Sequence, residues 1–299
     1  MEVRLKIMKH TQKPAVSVVI PTCNRPEFLP RAINSVLTQT YQDFEILVVD
    51  DGMKVRSEVV VVSFKDPRIR YIKNEKSLGG GGTRNRGVSE ARGEFIAFLD
   101  DDDEWVPQKL AVQMSKFSAA SRTVGFCFSA VVNVYNDREE ITHVESGIFD
   151  FSQIALTRFK GFLTSTLVIR RTVFSEVGGF DASLPSHQEP ELIIRMTRKY
   201  KGISINEPLA RMNMTPREHI GGSLERRIRG REMLLAKHGA LYAGKSRLLA
   251  RHYFQIGLWC RNGGDSRRAR KYFFHAFRLS GNPRYLFHAF RVLFRVSKN

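Results

Sequence analysis

An alternation of short apolar runs with helix-like segments in the first hundred residues most constrains how this chain can fold. Apolar runs lie at residues 16–20, 44–49, 70–72 and 94–99, and the segments between them include EFLPRAINSVLTQ, whose apolar residues recur at helical spacing. Strands that alternate with helices are typical of βαβ units, which build a parallel sheet. The sequence therefore predicts an α/β fold with a largely parallel sheet.

Polar residues follow three of these predicted strands, at the point where each strand ends. They are Thr22 to Arg25, Asp50 with Asp51, and Asp100 to Asp103. In open parallel sheets, ligands bind in the crevice beyond the carboxyl ends of the strands. We therefore expect these three clusters to meet in one acidic and polar rim that binds a ligand.

The third cluster, in FLDDDDEW, carries the strongest chemical signal. Carboxylates at Asp100 and Asp102 can hold a hard divalent cation and leave coordination positions open for phosphate oxygens. A solvated acidic loop, or capping of a helix that begins near Pro107, would use the same residues. Because four like charges repel one another unless a cation or ligand relieves them, the position at the end of a buried strand favours a cation with a diphosphate.

The segment LGGGGTRNRG is the second signal. Gly79 to Gly82 allow the backbone to approach a ligand closely, and Arg84 and Arg86 open a helix predicted over 83–92, where phosphate is favoured. A plain flexible loop is the alternative. A P-loop is excluded because G-x-x-x-x-G-K-[ST] is absent.

Four motifs occur in order: P-T-x-N-R after the first strand, V-V-D-D-G after the second, G-x-x-x-T-R-N-x-G, and F-L-D-x-D-D-x-W-x-P. Together they resemble glycosyltransferase family 2, the inverting transferases with the GT-A fold, over about residues 14–220. The resemblance implies an α/β GT-A domain that uses a nucleotide-sugar donor. It also implies that Asp100 and Asp102 form a D-x-D element for Mn²⁺ or Mg²⁺. The implied nucleotide-sugar-binding residues are Pro21, Thr22, Asn24, Arg25, Asp50, Asp51, Gly79, Arg84 and Asp101.

A later stretch, GGFDASLPSHQEPELIIR, is similar to the acceptor side of that family. The match places Glu189 at the general-base position and Glu191 at the second acidic position. An acceptor hydroxyl must lose its proton as it attacks, so the chemistry needs such a base. Both glutamates could instead stabilise a helix N-terminus. His219 stands where relatives carry a histidine that reaches the diphosphate or metal, although an isolated histidine is also an ordinary surface residue.

The sequence departs from the family pattern at a few positions. Met53 replaces the usual Ser or Thr after D-D-G, and Thr83 replaces the usual Ala before R-N. The usual aspartates near the base position are glutamates here, separated by Pro190. The longer glutamate side chain changes the geometry that a general base would have.

The basic charge is concentrated at the end of the chain. The formal net charge is +18, and residues 225–299 hold 18 Lys and Arg against 3 Asp and Glu, which accounts for +15. Strand signals disappear after about residue 215, and four helix-like segments follow. We therefore predict a tail at 1–13, a GT-A domain at 14–220 and a basic α-helical C-terminal region at 221–299.

The last predicted helix, at 283–296, suggests a membrane contact. Arg284, His288, Arg291 and Arg295 fall on one helical face, with apolar residues over most of the rest. Such a helix can bind an anionic membrane surface, or it can pack on its neighbours. Residues 253–283 resemble one tetratricopeptide-like unit, which favours packing. Because no nucleic-acid-binding motif accompanies the charge, we expect no specific nucleic-acid partner.

The remaining features bear on location and on alternatives. Three dispersed cysteines fit a reducing compartment, and neither a secretory signal nor a long apolar run is present, so we expect a cytoplasmic protein, peripheral on the inner face of the cell membrane.

The predicted function is metal-dependent inverting transfer from a UDP-sugar to a polysaccharide or lipid-linked glycan. The alternatives are a non-catalytic nucleotide-binding or membrane scaffold, and a nucleotidyltransferase. The latter would carry its Gly-rich loop directly after the first strand, where this chain has PTCNRP.

Overall fold

The computed structural model describes residues 13–157, 162–214 and 223–292. These residues form two compact units. The first contains 13–149, 163–179 and 200–214, and the second contains 150–157, 162, 180–199 and 223–292. The predicted boundaries after residues 13 and 220 stay predictions, because each lies beside or within a stretch outside the described residues.

A mixed sheet is the scaffold of the first unit, and ten strands of it lie in the described residues. The strands are β1 (Val16–Thr22), β2 (Phe44–Asp50), β3 (Ile69–Lys73), β4 (Phe95–Phe98), β5 (Glu104–Trp105), β6 (Val124–Val134), β7 (Glu139–Thr142), β8 (Gly147–Phe149), β9 (Val168–Arg170) and β10 (Lys201–Asn213). Their order is β3-β2-β1-β4-β9-β6-β10-β5, with β7 beside β6 and β8 beside β10.

The half of the sheet formed by β3, β2, β1 and β4 is parallel, as the strand and helix alternation predicts. Strands β2 and β4 are buried at every position, and β1 at all but one. Continuous apolar runs are typical of parallel strands that are covered on both faces. In this register Thr22 of β1 lies opposite Asp50 of β2. The carboxyl ends of the central strands therefore lie at one edge, together with the polar clusters that follow them.

The other half of the sheet is mixed. Strand β9 is antiparallel to β4 and β6, β10 is parallel to β6, and β5 is antiparallel to β10. The sequence did not predict β10, although it is the longest strand described. The run Asn206-Glu207-Pro208 interrupts its apolar pattern, and the pairing with β6 shifts register at that point. A bulge accommodates a proline that would otherwise remove a ladder hydrogen bond.

Helices cover the first unit and make up most of the second. Those of the first unit are α1 (Leu29–Leu37), α2 (Glu58–Ser63), α3 (Gly79–Glu90), α4 (Lys109–Ser118) and α6 (Arg171–Glu176). Those of the second are α5 (Ser152–Thr157), α7 (Gln188–Thr197), α8 (Leu224–His238), α9 (Ser246–Asn262), α10 (Ser266–Ser280) and α11 (Pro283–Arg291). Among the described helices, none is both long and apolar enough to cross a bilayer.

Helix α3 begins four residues earlier than predicted, at Gly79 instead of Thr83. Glycine is disfavoured in a helix by roughly 1 kcal/mol relative to alanine, so the predicted helix does not include the glycine run. The Asp51 carboxylate accepts hydrogen bonds from the backbone N–H groups of Leu78 (2.7 Å) and Gly79 (3.0 Å). This tertiary cap stabilises the early start and brings the glycine run into the helix.

Packing of α11 changes the interpretation of its basic face. The His288 ring lies 5.0 Å from the ring of Phe254 and 5.5 Å from that of Phe273, measured between centroids. Burial and the nearby Arg261 lower the pKa of His288, so the imidazole is neutral at pH 7. His288 thus packs against neighbouring aromatic rings, while the membrane contact predicted for this helix stays a prediction. Arg284 and Arg291 are exposed, and Arg295 lies outside the described residues.

Candidate active site

The acidic run after β4 is held by side chains from two other elements. Arg25, which follows β1, forms ion pairs with Asp101 and with Asp102, the latter at 3.2 Å. Arg84 of α3 forms an ion pair with Asp100. The sequence predicted that a cation or ligand would relieve the repulsion among these carboxylates. In the structure two arginines contribute that relief, and both come from predicted nucleotide-binding positions.

The carboxylates of the run differ sharply in environment. Asp101 is buried, and the hydroxyl of Thr22 donates to it at 2.7 Å. Burial raises the pKa of Asp101 to about 7, an effect that Arg25 and the hydrogen bond from Thr22 partly offset. Asp100 and Asp102 are only partly buried. The two members of the D-x-D element are thus the more accessible carboxylates of the run.

Hydrogen bonds with Ser165 also hold the acidic run in place. The Ser165 hydroxyl donates to buried Asp103 (2.6 Å) and accepts from the backbone N–H of Asp100 (3.1 Å). Its carbonyl accepts from the indole of Trp105 (2.7 Å). Burial raises the pKa of Asp103 well above its usual range. Ser165 was not among the predicted site residues, and no signal in the sequence joins it to an aspartate 62 residues away.

Asp50, at the end of β2, is fully buried and organises the loop that follows it. Its carboxylate accepts from the backbone N–H groups of Gly52 and Ser57, each at 2.8 Å, and from the Tyr71 hydroxyl at 2.7 Å. The contacts described for this side chain are therefore with the protein itself. A role in binding the base or ribose stays a prediction.

Asp51 ties the end of β2 to the start of α3. Besides its contacts with the backbone of Leu78 and Gly79, its carboxylate accepts from the side chains of Asn74 and Ser77, each at 2.8 Å. Gly79 has a φ of +67°, which a glycine adopts without strain. Asp51 thus shapes the turn that leads into α3 and positions Arg84 one helical turn further on.

The loop after β1 closes against the loop after β2. Pro21 lies in β1, and Asn24 adopts a left-handed backbone with φ of 55°. The Asn24 side-chain oxygen accepts from the backbone N–H groups of Lys54 (2.9 Å) and Val55 (3.1 Å). A Cβ on Gly52 would lie only 2.7 Å from the Asn24 nitrogen, so D-D-G needs its glycine for this approach.

The predicted base lies on α7, in the second unit. Glu189 is in the first turn of that helix and is partly exposed. Glu191 is completely buried and is contacted by Arg195, by Lys237 at 2.9 Å and by His238 at 3.0 Å. Although burial opposes ionisation, the hydrogen bonds from these three partners lower the pKa of Glu191 to about 2. Glu191 is therefore an ion-pair residue that joins α7 to α8 and a weak proton acceptor.

The donor chemistry of the rim fits a divalent cation of the Mn²⁺ or Mg²⁺ type. Asp100 and Asp102 offer hard carboxylate oxygens. Among the described residues, no group of three or more His, Cys, Asp and Glu side chains is arranged to hold a metal ion by itself. His219, the third predicted ligand, lies outside the described residues.

Lys109, the first residue of α4, supports the acidic run through Trp105. Its ammonium is fully buried, lies 4.0 Å from the centroid of the Trp105 ring and donates to Gln113 at 2.6 Å. Burial lowers the pKa of Lys109 to about 7, from 10.5. Between these values the unfolded chain binds more protons than the folded chain, so stability increases as the pH rises.

We expect the free energy of unfolding to rise by about 1 kcal/mol per pH unit between pH 7 and pH 9 because of Lys109. Urea unfolding of the wild type and of Lys109→Met at several pH values measures this term as the difference between the two profiles. At higher pH the buried Cys127 thiol, whose pKa burial raises to about 12, acts in the opposite direction. Parallel profiles for the two proteins would contradict the assignment.

A model of glycosyl transferase family 2 matches residues 17–178. An uncharacterized glycosyltransferase of Methanocaldococcus jannaschii is 32% identical over 214 residues, which are 69% of this chain and 73% of that protein. The chain belongs to glycosyltransferase family 2. It is also 31% identical to the amylovoran biosynthesis glycosyltransferase AmsB of Erwinia amylovora, over 70% of this chain and 74% of AmsB.

Another relative is named for its donor and acceptor. The UDP-Glc:alpha-D-GlcNAc-diphosphoundecaprenol beta-1,3-glucosyltransferase WfgD of Escherichia coli is 42% identical over 100 residues, which are 33% of this chain and 40% of WfgD. The aligned region is therefore less than half of either protein.

Solved structures confirm the predicted fold class. S. aureus TarS, residues 1–349 with UDP-GlcNAc, superposes with a TM-score of 0.68 at 17% identity, over 90% of this chain and 81% of that one. The mannosyltransferase PcManGT of Pyrobaculum calidifontis, with GDP-Man and Mn²⁺, gives 0.62 at 16% identity, over 96% and 82%. This family 2 glycosyltransferase has a GT-A fold followed by C-terminal helices.

Proposed function

We propose that the chain is a metal-dependent inverting glycosyltransferase that moves a sugar from a UDP-sugar to a polysaccharide or lipid-linked glycan. The observation that carries this proposal is the rim where Arg25 and Arg84 meet the acidic run of a family 2 protein. A bound diphosphate needs cationic partners, and a divalent cation needs hard oxygen ligands such as carboxylates, phosphate oxygens or water. Both requirements are met within one cluster.

Each side chain of the rim has a proposed task. Asp100 and Asp102 would hold the divalent cation, which as a Lewis acid stabilises the negative charge that develops on the departing nucleoside diphosphate. When the donor binds, Arg25 exchanges Asp102, and Arg84 exchanges Asp100, for phosphate oxygens. Thr22 and Asp101 anchor Arg25, and Asp51 anchors the turn before α3. Pro21, Asn24, Asp50 and Gly79 shape the walls against which the nucleoside would lie.

Glu189 is the proposed general base. It would accept the proton of the acceptor hydroxyl as the oxygen attacks the anomeric carbon, opposite the diphosphate, and so invert the configuration. The contrast with Glu191 supports this assignment, because the Glu191 carboxylate is buried and its pKa is lowered to about 2. Glu189 is the partly exposed member of the pair and can meet a substrate.

The acceptor class follows from the names of two relatives. AmsB is named for amylovoran biosynthesis, and WfgD is named for a diphosphoundecaprenol-linked acceptor. We propose an acceptor of the same kind, a growing polysaccharide or a lipid-linked glycan. We propose that the enzyme meets such an acceptor in the cytoplasm, on the inner face of the cell membrane, with the C-terminal basic helices toward the anionic surface.

The cation and the donor are expected to strengthen each other's binding by at least about tenfold, because the protein alone supplies only part of the coordination shell. Calorimetry of UDP binding with and without Mn²⁺ measures this coupling. Independent binding of the two would contradict a shared site. A parallel screen of UDP, GDP and dTDP sugars for turnover with Mn²⁺ tests the donor, and binding of UDP without turnover of any sugar would favour a nucleotide-binding scaffold.

A further inference from the structure

Helices α10 and α11 expose three large aromatic side chains, Phe274, Phe287 and Phe290, which we call the aromatic ridge. Their exposed fractions are 37%, 60% and 48%. The rings of Phe274 and Phe290 are in edge-to-face contact with centroids 6.0 Å apart, so the ridge runs across both helices. Exposed aromatic side chains that touch one another mark an interaction surface more often than single exposed residues do.

The ridge is separate from the face by which α11 packs. Tyr285, Ala289 and Val292 are buried, and the Tyr285 ring stacks on Phe254 with centroids 4.5 Å apart. The helix therefore satisfies its packing with one face and still presents Phe287 and Phe290 on another. The packing alternative that the sequence left open thus describes one face of this helix, and the exposed face leaves room for another contact.

Basic side chains flank the ridge on both helices. On α10, Arg267, Lys271 and Arg278 lie at helical spacings of seven, three and four residues from Phe274 and are exposed, as are Arg284 and Arg291 beside Phe287 on α11. Residues 266–299 contain no Asp or Glu. These helices carry an exposed aromatic cluster among cations and no acidic residue. They are therefore complementary to a surface on which anionic groups cover an apolar layer.

We propose that the aromatic ridge and its flanking basic residues bind the interface of an anionic phospholipid bilayer. Phe274, Phe287 and Phe290 enter the headgroup and acyl boundary, and the guanidinium and ammonium groups contact lipid phosphates. A single-stranded nucleic acid would also use cations and aromatic rings, but the sequence contains no nucleic-acid-binding motif. The inference rests on the proposed membrane-linked acceptor and names the surface that holds the enzyme beside it.

Co-sedimentation of the full chain with phosphatidylcholine vesicles of graded phosphatidylglycerol content tests the surface. Wild-type binding should rise with anionic lipid and fall with salt. Each basic residue at the surface contributes about a fivefold change in partitioning, so Lys271→Glu, Arg278→Glu and Arg291→Glu together should reduce binding roughly 100-fold. Replacing the three ridge phenylalanines by serine should reduce it by at least about tenfold, through loss of apolar insertion.

Two matched controls separate this surface from general charge and general hydrophobicity. Lys116→Glu, Arg122→Glu and Lys201→Glu make the same charge change at exposed positions of the first unit. Val59→Ser and Val62→Ser remove two highly exposed apolar side chains from α2. Both controls should bind vesicles as the wild type does, and thermal melting should show that all variants fold.

Several outcomes would overturn the proposal. They are vesicle binding that does not rise with anionic lipid, ridge variants that bind vesicles like the wild type, and a charge variant that loses polynucleotide binding while the phenylalanine variant loses nothing. UDP binding and transfer to a short water-soluble acceptor should be unchanged in the ridge and charge variants. If the wild type neither binds UDP nor transfers sugar but still binds vesicles, the proposed function is contradicted and the proposed membrane-binding surface is supported.

Discussion

Replacing Asp102 by asparagine is expected to abolish sugar transfer and to weaken UDP binding in Mn²⁺, while the fold remains intact. Asparagine keeps the shape of the side chain but replaces a charged oxygen donor by an amide, a much poorer ligand for a hard cation. Asp102 is partly exposed, and Arg25 keeps its ion pair with Asp101. Initial rates, calorimetry with UDP and thermal melting measure the three effects. Full activity of the variant would refute the D-x-D assignment.

Asp103→Asn is the matched control, because it changes the same functional group one residue away. Asp103 is buried and accepts from the Ser165 hydroxyl and from the backbone N–H of Asn213. An asparagine can accept with only one oxygen, so this variant should lose about 1–3 kcal/mol of stability. Asp103→Asn should therefore lower the melting temperature, whereas Asp102→Asn should lower the rate of sugar transfer. Wild-type activity in excess EDTA would also contradict the metal requirement.

The rim could be predicted from the sequence because the order of parallel strands alone brings its residues together. Parallel strands end at one edge, so polar residues after β1, β2 and β4 must lie near one another. Thr22, Arg25 and Asp101 meet in the structure for this reason. The strand and helix pattern carries that information without any knowledge of loop conformation.

The partners of the β2 end could not be predicted in the same way. Four of the donors to Asp50 and Asp51 are backbone N–H groups, and the direction of those groups depends on loop conformation; they belong to Gly52, Ser57, Leu78 and Gly79. The early start of α3 follows from the same contacts. Local propensity disfavours four glycines in a helix, and the hydrogen bonds that Asp51 accepts from the Leu78 and Gly79 N–H groups oppose that preference.

Glu189→Gln is expected to lower kcat by ~10² to 10⁴ with nearly unchanged donor affinity, since the variant keeps the shape of the side chain but loses the proton acceptor. The family resemblance places Glu189 at the general-base position, although both glutamates lie in the first turn of α7. Steady-state rates with a soluble acceptor, together with UDP binding, measure the effect. A Glu189→Gln enzyme with wild-type kcat would show that another group accepts the proton.

Glu191→Gln is the comparison that makes this result interpretable. Its charge is paired with Arg195, Lys237 and His238, so removal leaves cations near a buried amide and should cost on the order of 2 kcal/mol, less than a fully buried pair because Lys237 is solvent-accessible. The folded pKa of about 2 lies below the ordinary value of 4.5, so this stabilisation is present above pH 5 and is lost as the pH falls toward 2. The wild type should therefore lose stability in acid more steeply than Glu191→Gln does. Glu189→Gln should melt like the wild type at pH 7 while losing turnover, a combination that a merely structural role for Glu189 would not give.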